Sequence, residues 1–136
     1  MIYIQRKETF CAAHKLWNEK WDEKTNMEVF GKCANPNYHG HNFELLVTVK
    51  GEIDPETGFV MNLFDLKKII RKYVTDLVDH KNLNLDVDFM AGKLTSSENL
   101  AVAIWDILYP QVAAHGAALH CVQLAETGNN IIKYYG

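Results

Sequence analysis

Apolar residues alternate with polar ones at the start of the chain, and this alternation predicts a long first strand from Ile2 to Lys15. The positions that would share one face of that strand are Ile2, Ile4, Phe10, Ala12 and His14. Residues 18–38 are polar and contain Gly31 and Pro36, so they predict a long loop. The next segment, from His39 to Lys50, is rich in β-forming residues and predicts a second strand.

Two later segments show the spacing of amphipathic helices. Asn62, with Asp65 three residues later, resembles a helix start. Apolar residues then recur on one helical face, at Leu63, Leu66, Ile70, Tyr73, Val74 and Leu77. A polar stretch over 79–88 is expected to end this helix. The sequence Thr95-Ser96-Ser97-Glu98 has the form of a capping box and predicts a second helix that stops at Pro110.

Short β-forming segments flank these helices. Residues 51–58 predict a turn followed by a short returning strand at 59–61, and two closing strands are expected at 119–125 and 131–135. Strands at both ends with two helices between them indicate an α+β fold, in which a four-stranded antiparallel sheet carries two helices on one face. The predicted order is ββααββ, with the strand at 59–61 counted as part of its hairpin. Nothing resembles a linker, so residues 1–136 are expected to form one domain.

Composition and charge exclude several classes of function. Seventeen acidic and fourteen basic side chains give a net charge of −3, so no basic field would attract nucleic acid or an anionic membrane. No apolar run approaches the roughly 20 residues of a membrane-spanning helix. The first residues lack the apolar core of a signal peptide, which predicts a cytoplasmic protein. Three cysteines, an odd number, argue against a disulfide framework.

The sequence His39-Gly40-His41 is the sharpest signal of chemistry. Residues two apart on a strand project from the same face, so both imidazoles would point to one spot. With His14 from the core-facing side of the first strand, they could bind Zn²⁺ and leave one position open for a substrate. A histidine pair of this spacing is more often structural or simply exposed, and that alternative stays open.

Cys33 lies in a Gly/Pro/Asn-rich segment just before the histidine pair, and three interpretations are open for it. It could be a fourth zinc ligand, which would close the site. It could be a small buried thiol, the commonest state of an intracellular cysteine. It could also act as a thiolate base beside a catalytic metal, and its place in a loop favours this reactivity.

Asp79 and His80 follow the predicted end of the first helix. A histidine there is often only a partner of the helix dipole. A neighbouring carboxylate can also raise the basicity of the imidazole, so the pair could relay a proton.

Glu126 and Thr127 enter the last predicted turn. Such a carboxylate is usually solvated, but a buried one could accept two hydrogen bonds from a guanidine-like ring edge. The primary interpretation of Ser96 and Ser97 is that they cap the helix, and contact with a ligand is the secondary one.

These features occur together, and in order, in one known family. The segments concerned are Phe10-x-Ala12-Ala13-His14, Gly31-Lys32-Cys33-x-Asn35-Pro36-Asn37-x-His39-Gly40-His41-Asn42, Gly51-Glu52-Ile53-Asp54-Pro55, Val60-Met61-Asn62-Leu63, Asp65-Leu66-Lys67-Lys68, Asp79-His80-Lys81-Asn82-Leu83, Glu98-Asn99 and Glu126-Thr127. They resemble 6-pyruvoyltetrahydropterin synthases in register over 10–135. The resemblance implies the tunnelling fold (T-fold) and a homohexamer, a dimer of trimers, with active sites between subunits.

The resemblance also implies a role for each candidate residue. The roles are a catalytic zinc ion bound by His14, His39 and His41, a base at Cys33 assisted by Asp79 and His80, a pterin anchor at Glu126 with Thr127 beside it, and a pterin pocket lined by Ser96 and Ser97. Whether Mg²⁺ assists the reaction is left open.

The implied substrate is 7,8-dihydroneopterin triphosphate, and two products are open. Five residues separate Cys33 from His39, the spacing of the enzymes that form 6-pyruvoyltetrahydropterin. In the branch that forms 6-carboxytetrahydropterin for deazapurine (queuosine) synthesis, the cysteine usually lies three residues from the histidine pair. One departure is Tyr38, where the pyruvoyl-forming enzymes carry a small residue. A pterin- or zinc-binding protein without turnover is the third possibility.

Overall fold

Two long antiparallel strands form the centre of the sheet in the computed structural model, which describes all 136 residues. β1 (Ile2–His14) and β2 (His39–Gly51) pair along their whole lengths, with Ile2 opposite Gly51 and His14 opposite His39. Both strands agree with the sequence-based prediction to within one residue at each end. Their pairing brings the two histidine-bearing strand ends side by side.

Alternation along these strands separates a buried face of the sheet from an open one. In the second half of β1 the buried residues are Glu8, Phe10, Ala12 and His14, all at even positions. In β2 the fully buried residues are Phe43, Leu45, Val47 and Val49, all at odd positions. These residues share a hydrophobic core with the apolar faces of the helices. We call the other side, which carries Cys11 and Asn42, the open face.

Three further strands complete a five-stranded sheet. β3 (Lys81–Asn82) pairs with β1, while β4 (Ala118–Ala125) and β5 (Ile131–Tyr134) extend the sheet from β2, giving the order β3-β1-β2-β4-β5. Strands β1, β2, β4 and β5 form the four-stranded antiparallel sheet that was predicted. The fifth strand, β3, has only two residues and runs parallel to β1.

The strand predicted at 59–61 does not form, so that prediction is wrong. The hydrogen-bonding groups here belong to the turn before it, in which the carbonyl of Phe59 accepts from the N–H of Asp54 and the carbonyl of Asp54 accepts from the N–H of Gly58. The chain then bends directly into the cap of the next helix at Asn62.

A helix lies within the segment that was predicted to be a loop. α1 (Glu23–Phe30) begins after Asp22, whose side chain accepts from the N–H of Thr25. The fully buried Asn26 donates its side-chain amide to the carbonyls of Asn18 and Asp22. Polar side chains therefore hold this helix in place, which explains why no apolar stripe revealed it. A 3₁₀ turn (Gly31–Ala34) follows and carries Cys33.

Two helices cover the buried face, as predicted. We use α2 for the continuous helix made of the α-helical Leu63–Ile70, the π-helical Arg71–Thr75 and the α-helical Asp76–Val78. Its cap is Asn62, whose side chain accepts from the N–H of Phe64.

The second of these helices, α3 (Ser97–Ala113), has its cap at Ser96. The prediction that this helix stops at Pro110 is wrong, because it continues for three more residues. Pro110 lacks the N–H that would donate to the carbonyl of Asp106, so the helix loses one hydrogen bond there and nevertheless continues. None of the helices is long and apolar enough to cross a membrane.

Candidate metal centre and catalytic residues

Three imidazoles meet at one end of the sheet, on its buried face. Strand alternation places His39 and His41 on the same side of β2, and the pairing of His14 with His39 adds the third ring. The ring centroids of His14 lie 4.6 Å from those of His39 and 5.2 Å from those of His41. The centroids of His39 and His41 are 4.9 Å apart. The structure therefore brings the three predicted metal ligands together.

A backbone carbonyl fixes the orientation of His14. Its Nδ1 lies 2.7 Å from the carbonyl oxygen of Thr95, at the start of α3. A carbonyl oxygen only accepts hydrogen bonds, so Nδ1 carries the proton and Nε2 keeps its lone pair. That lone pair is buried and has no hydrogen-bond partner. A hydrogen bond of this kind, made through the second ring nitrogen, orients histidine ligands in metal sites.

Glu126 joins the imidazoles from the end of β4. Its Oε1 lies 2.9 Å from Nε2 of His41, at ion-pair distance, but the two atoms do not form a hydrogen bond. Its Oε2 accepts a hydrogen bond from the hydroxyl of Ser97 at 2.5 Å. The ligand atoms of His14, His39, His41 and Glu126 all lie within 4.8 Å of one another, and we call these four residues the histidine cluster.

The electrostatics of the cluster favour neutral imidazoles. Burial lowers the pKa of all three histidines, and the nearby charge of Glu126 offsets this only in part. The rings also lower one another's pKa, since a second positive charge is unfavourable beside the first. Neutral imidazole is the form that binds metal.

The residues fit a metal ion. Four buried nitrogen atoms of the cluster have no hydrogen-bond partner, and they are Nε2 of His14, Nδ1 and Nε2 of His39, and Nε2 of His41. Buried polar atoms without a partner are costly and rare, and a bound cation is one explanation for such a concentration. Imidazole nitrogens with a carboxylate oxygen form a donor set that suits transition metals.

Cys33 precedes His39 by six positions in the chain, but it does not belong to the histidine cluster. Its 3₁₀ turn is tied to the segment after His14, because the carbonyl of Cys33 accepts from the N–H of Leu16 at 2.8 Å. The thiol is half-buried and unpaired by a disulfide. The carboxylate of Glu126, rather than this thiol, completes the group of possible ligands.

Asp79 and His80 form a second cluster with Cys11. The N–H of Cys11 donates to Oδ1 of Asp79 at 2.9 Å, and the N–H of His80 donates to the carbonyl of Cys11 at 2.7 Å. The bond from Cys11, assisted by His80, lowers the pKa of Asp79 even though burial opposes this. The ionised Asp79 lies 3.1 Å from Nδ1 of His80 and fixes a ring whose side chain is 80% exposed.

The two clusters lie on opposite faces of the sheet. His14 and Ala12 point to the buried face of β1, whereas Cys11 points to the open face with Asp79 and His80. A cavity of about 510 Å³ is lined by Cys11, Asn42 and His80 of the open face, and also by His41 of the histidine cluster. The ligand atoms of Asp79 and His80 group with that of Cys11 and not with those of the histidine cluster.

The remaining predicted residues have structural partners. The hydroxyl of Ser96 caps α3 by accepting from the N–H of Asn99 at 3.2 Å. The hydroxyl of Thr127 accepts from the N–H groups of Asn129 and Asn130, and so closes the last turn. Ser97, in contrast, is buried and turned to Glu126.

Two contributors to these clusters were not predicted. Thr95 acts on His14 through its backbone carbonyl, so no side chain in the sequence could signal this role. Cys11 had no assigned role, but it supplies both a donor and an acceptor to Asp79 and His80. The alternation of β1, which places Cys11 opposite the histidine face, was the only available signal.

Comparison with known proteins agrees with the resemblance seen in the sequence. A family model described as 6-pyruvoyl tetrahydropterin synthase matches residues 3–136. The 6-pyruvoyl tetrahydrobiopterin synthase of Pongo abelii is 47% identical over 133 residues, 98% of this chain and 90% of that protein. A more distant relative from Archaeoglobus fulgidus, a putative 6-carboxy-5,6,7,8-tetrahydropterin synthase, is 31% identical over 87% of this chain and 82% of its own length.

The solved structure of Caenorhabditis elegans 6-pyruvoyl tetrahydropterin synthase superposes with a TM-score of 0.92 at 40% identity. The superposition covers 99% of this chain and 95% of that one. Sequence and fold therefore resemble the same group of proteins over nearly their whole length.

Proposed function

Because the chain belongs to the 6-pyruvoyl tetrahydropterin synthase family, we propose that it is a zinc-dependent lyase. The proposed reaction converts 7,8-dihydroneopterin triphosphate to 6-pyruvoyltetrahydropterin with loss of triphosphate. The observation that carries the proposal is the histidine cluster, with its buried nitrogen atoms that have no partner in the protein. We also propose a cytoplasmic location.

His14, His39 and His41 would hold the zinc ion. The carbonyl of Thr95 supports this role for His14, since it leaves Nε2 as the free donor atom. When bound, zinc would acidify the side-chain hydroxyls of the substrate and polarise a developing carbonyl group. Whether Mg²⁺ also assists is tested by adding it to the same assay.

Cys33 would remove a proton from the substrate side chain, so that triphosphate leaves and the double bonds shift into the pyruvoyl group. A thiol outside the ligand group is free to act as a base. His80 would exchange protons with the intermediates through Nε2, because Asp79 engages Nδ1. The ionised state of Asp79, favoured by its lowered pKa, supports this division of roles.

The pterin ring would be bound beside the metal. Glu126 is the proposed anchor, since a carboxylate can accept two hydrogen bonds from the amino-pyrimidine edge. The hydroxyl of Ser97 would hold Glu126 in orientation. Ser96 and Thr127 are adjacent to these residues in the chain, and we propose that they line the same pocket.

The active site would be shared between copies of the chain. Asp79 and His80 lie on the open face, whereas the histidine cluster lies on the buried face. We propose that His80 of one chain therefore serves a substrate at the metal of a second chain. This arrangement implies a homo-oligomer, and we propose a hexamer built as a dimer of trimers.

Product analysis tests the proposal directly. Zinc-loaded protein is incubated with 7,8-dihydroneopterin triphosphate, and the products are identified by chromatography and mass spectrometry. The proposal predicts stoichiometric triphosphate and 6-pyruvoyltetrahydropterin. Acetaldehyde with 6-carboxytetrahydropterin would instead establish the carboxy-forming alternative. Binding of the substrate without triphosphate release would identify a non-catalytic pterin-binding protein.

A further inference from the structure

No role has yet been assigned to a cavity of about 400 Å³. Its walls come from the segments that hold the cluster. Lys15 directly follows His14, and Tyr38 directly precedes His39. Leu94 directly precedes Thr95, whose carbonyl orients His14. The lining residues are therefore adjacent in the chain to two proposed metal ligands, His14 and His39, and to the residue that orients His14.

Positive charge is concentrated around this cavity. Lys15, Lys20 and Lys93 line it, together with a single acidic residue, Glu19. None of these four side chains forms an ion pair, although the chain as a whole carries a net charge of −3. Three unpaired ammonium groups around a cavity of ligand size favour an anionic ligand. We call Lys15, Trp17, Lys20, Tyr38 and Lys93 the lysine pocket.

Lys15 is held in position before any ligand arrives. Its backbone N–H donates to the side chain of Asn84 at 2.9 Å, and the amide of Asn84 donates back to the carbonyl of Lys15 at 2.9 Å. Its ammonium group lies 5.1 Å from the ring centroid of Trp17 and 5.2 Å from that of Tyr38. Two aromatic faces thus restrain the charge without neutralising it. Such restraint lowers the entropic cost of binding.

Tyr38 provides this contact from a strained backbone. Its φ of 65° lies in the left-handed region, which is an outlier for a large side chain. Glycine at this position would relieve the strain but would remove the ring. Strain of this kind is retained where the surrounding structure uses it. The ring over Lys15 is the feature that depends on it.

We propose that the lysine pocket binds the triphosphate group of the substrate and releases it as inorganic triphosphate. This proposal rests on the proposed function, because it assumes a phosphorylated pterin at the histidine cluster. Lysine is a compact point charge that suits phosphate oxygens. Cations at the leaving group would also stabilise the negative charge that develops as the bond to triphosphate breaks.

Direct binding of inorganic triphosphate tests the pocket without relying on turnover. Zinc-loaded wild-type protein and the K15Q/K93Q variant are titrated with triphosphate by calorimetry, and zinc content is measured afterwards. We expect Kd to rise about tenfold or more in the variant, as for the loss of charge-assisted hydrogen bonds. K24Q, which removes an exposed lysine of α1 outside the pocket, should keep the wild-type Kd. Dihydroneopterin, which lacks phosphate, should bind wild type and K15Q/K93Q equally.

A second pair of variants tests the aromatic contact separately. Tyr38→Gly removes the ring while suiting the positive φ, so we expect a folded protein with a severalfold higher Kd for triphosphate. Tyr38→Phe keeps a ring over Lys15 and should bind as wild type does.

The outcomes separate the two proposals. Wild-type affinity for triphosphate in K15Q/K93Q would overturn the lysine pocket even if the enzyme turns over its substrate. Triphosphate binding that is lost in K15Q/K93Q, with no product formed by wild type, would support the pocket and overturn the proposed reaction.

Discussion

The ring of His14 is oriented by the carbonyl of Thr95, a residue 81 positions further along the chain, across 2.7 Å. The bond joins the end of β1 to the start of α3, so the metal site depends on the packing of helix against sheet. No substitution of the Thr95 side chain removes the carbonyl itself. The tautomer of His14 is therefore a property of the fold, and loss of tertiary structure should release both this restraint and the metal.

The metal-free protein should lose stability as the pH falls below about 6.5, the ordinary histidine value. Burial lowers the pKa of His14, His39 and His41 in the folded state, so the unfolded chain binds more protons in this range. Each unit by which folding lowers a histidine pKa changes the free energy of unfolding by at most about 1.4 kcal/mol over this range. Urea unfolding of chelator-treated protein at pH 7.5 and 5.5 measures the loss. H14Q should reduce this pH dependence, whereas H115Q, at an exposed histidine, should not.

Cys33→Ala should reduce kcat by roughly 10²–10⁴-fold, the usual contribution of a general base, while the protein retains its zinc. Cys121→Ala is the matched control. Cys121 is buried, and burial raises the pKa of its thiol, which favours the unreactive protonated form. Steady-state kinetics gives kcat for both variants, and metal analysis gives their zinc content. Loss of zinc from Cys33→Ala would contradict the role as a base and favour a closed structural site.

Mixed oligomers should regain activity that neither parent possesses. His39→Ala removes a proposed metal ligand on the buried face, and His80→Ala removes the proposed proton relay on the open face. If one chain supplies the metal and another supplies His80, co-expression of the two variants restores some intact sites. The expected activity is about a quarter of the wild-type value for random assembly. Mixtures as inactive as their parents would show that a single chain provides both groups.

The two adjacent serines at the start of α3 should respond differently to alanine. Ser97→Ala removes the hydroxyl that donates to Glu126, so we expect KM to rise several-fold with little change in stability. Ser96→Ala removes the cap and should cost about 1 kcal/mol of stability. Kinetics and thermal unfolding of both variants make the comparison. An unchanged KM in Ser97→Ala would argue against the positioning of Glu126 by this hydroxyl.

Glu8 should contribute more to stability than an exposed glutamate on the same strand pair. Its side chain is 8% exposed and pairs with Arg6 at 2.6 Å and Arg71 at 3.1 Å. Glu8→Ala leaves these cations without their partner and should cost about 1–3 kcal/mol. Glu44→Ala breaks a pair with Lys7 that is 54% exposed on both sides, and it should cost less than about 1 kcal/mol. Equal urea midpoints for the two variants would contradict this ranking.

The contribution of Glu8 to stability also falls in acid, but for a different reason from that of the histidines. Glu8 loses a favourable charge on protonation, whereas the buried histidines gain an unfavourable one. Burial alone would raise the pKa of Glu8, but hydrogen bonds and charges from Arg6 and Arg71 outweigh it and leave the pKa lowered. Its contribution is therefore complete above the ordinary glutamate value and is lost as the pH falls through the lowered one. The difference between wild type and Glu8→Ala should shrink in acid.

Strand periodicity was enough to predict that three histidines lie together. Alternation along β1 and β2 placed His14, His39 and His41 on the side of the sheet that faces the core, and the structure brings them together there. The roles assigned to Cys33, Asp79 and His80 stay predictions. Their placement depends on a loop and a helix end, which local patterns do not position.

Other features depended on interactions that the sequence pattern does not record. α1 is stabilised by the buried amide of Asn26, so it lacks the apolar stripe by which helices are predicted. β3 has two residues, too few for any periodicity to appear. The pairing of Cys11 with Asp79 is a tertiary contact between residues 68 positions apart, which no local signal indicates.

The π-helical segment Arg71–Thr75 sets where the end of α2 arrives. In a regular α-helix each residue advances the chain by about 100° and 1.5 Å. A π-helical turn takes up an additional residue locally, so it corrects the phase of everything that follows. Without that correction Val78 would rotate out of the core, and Asp79 would no longer meet the N–H of Cys11. A single irregular turn of backbone thus aligns the proposed proton relay. Deleting one residue from this turn would keep the following residues in phase, whereas converting it to regular α-helix at full length would rotate them.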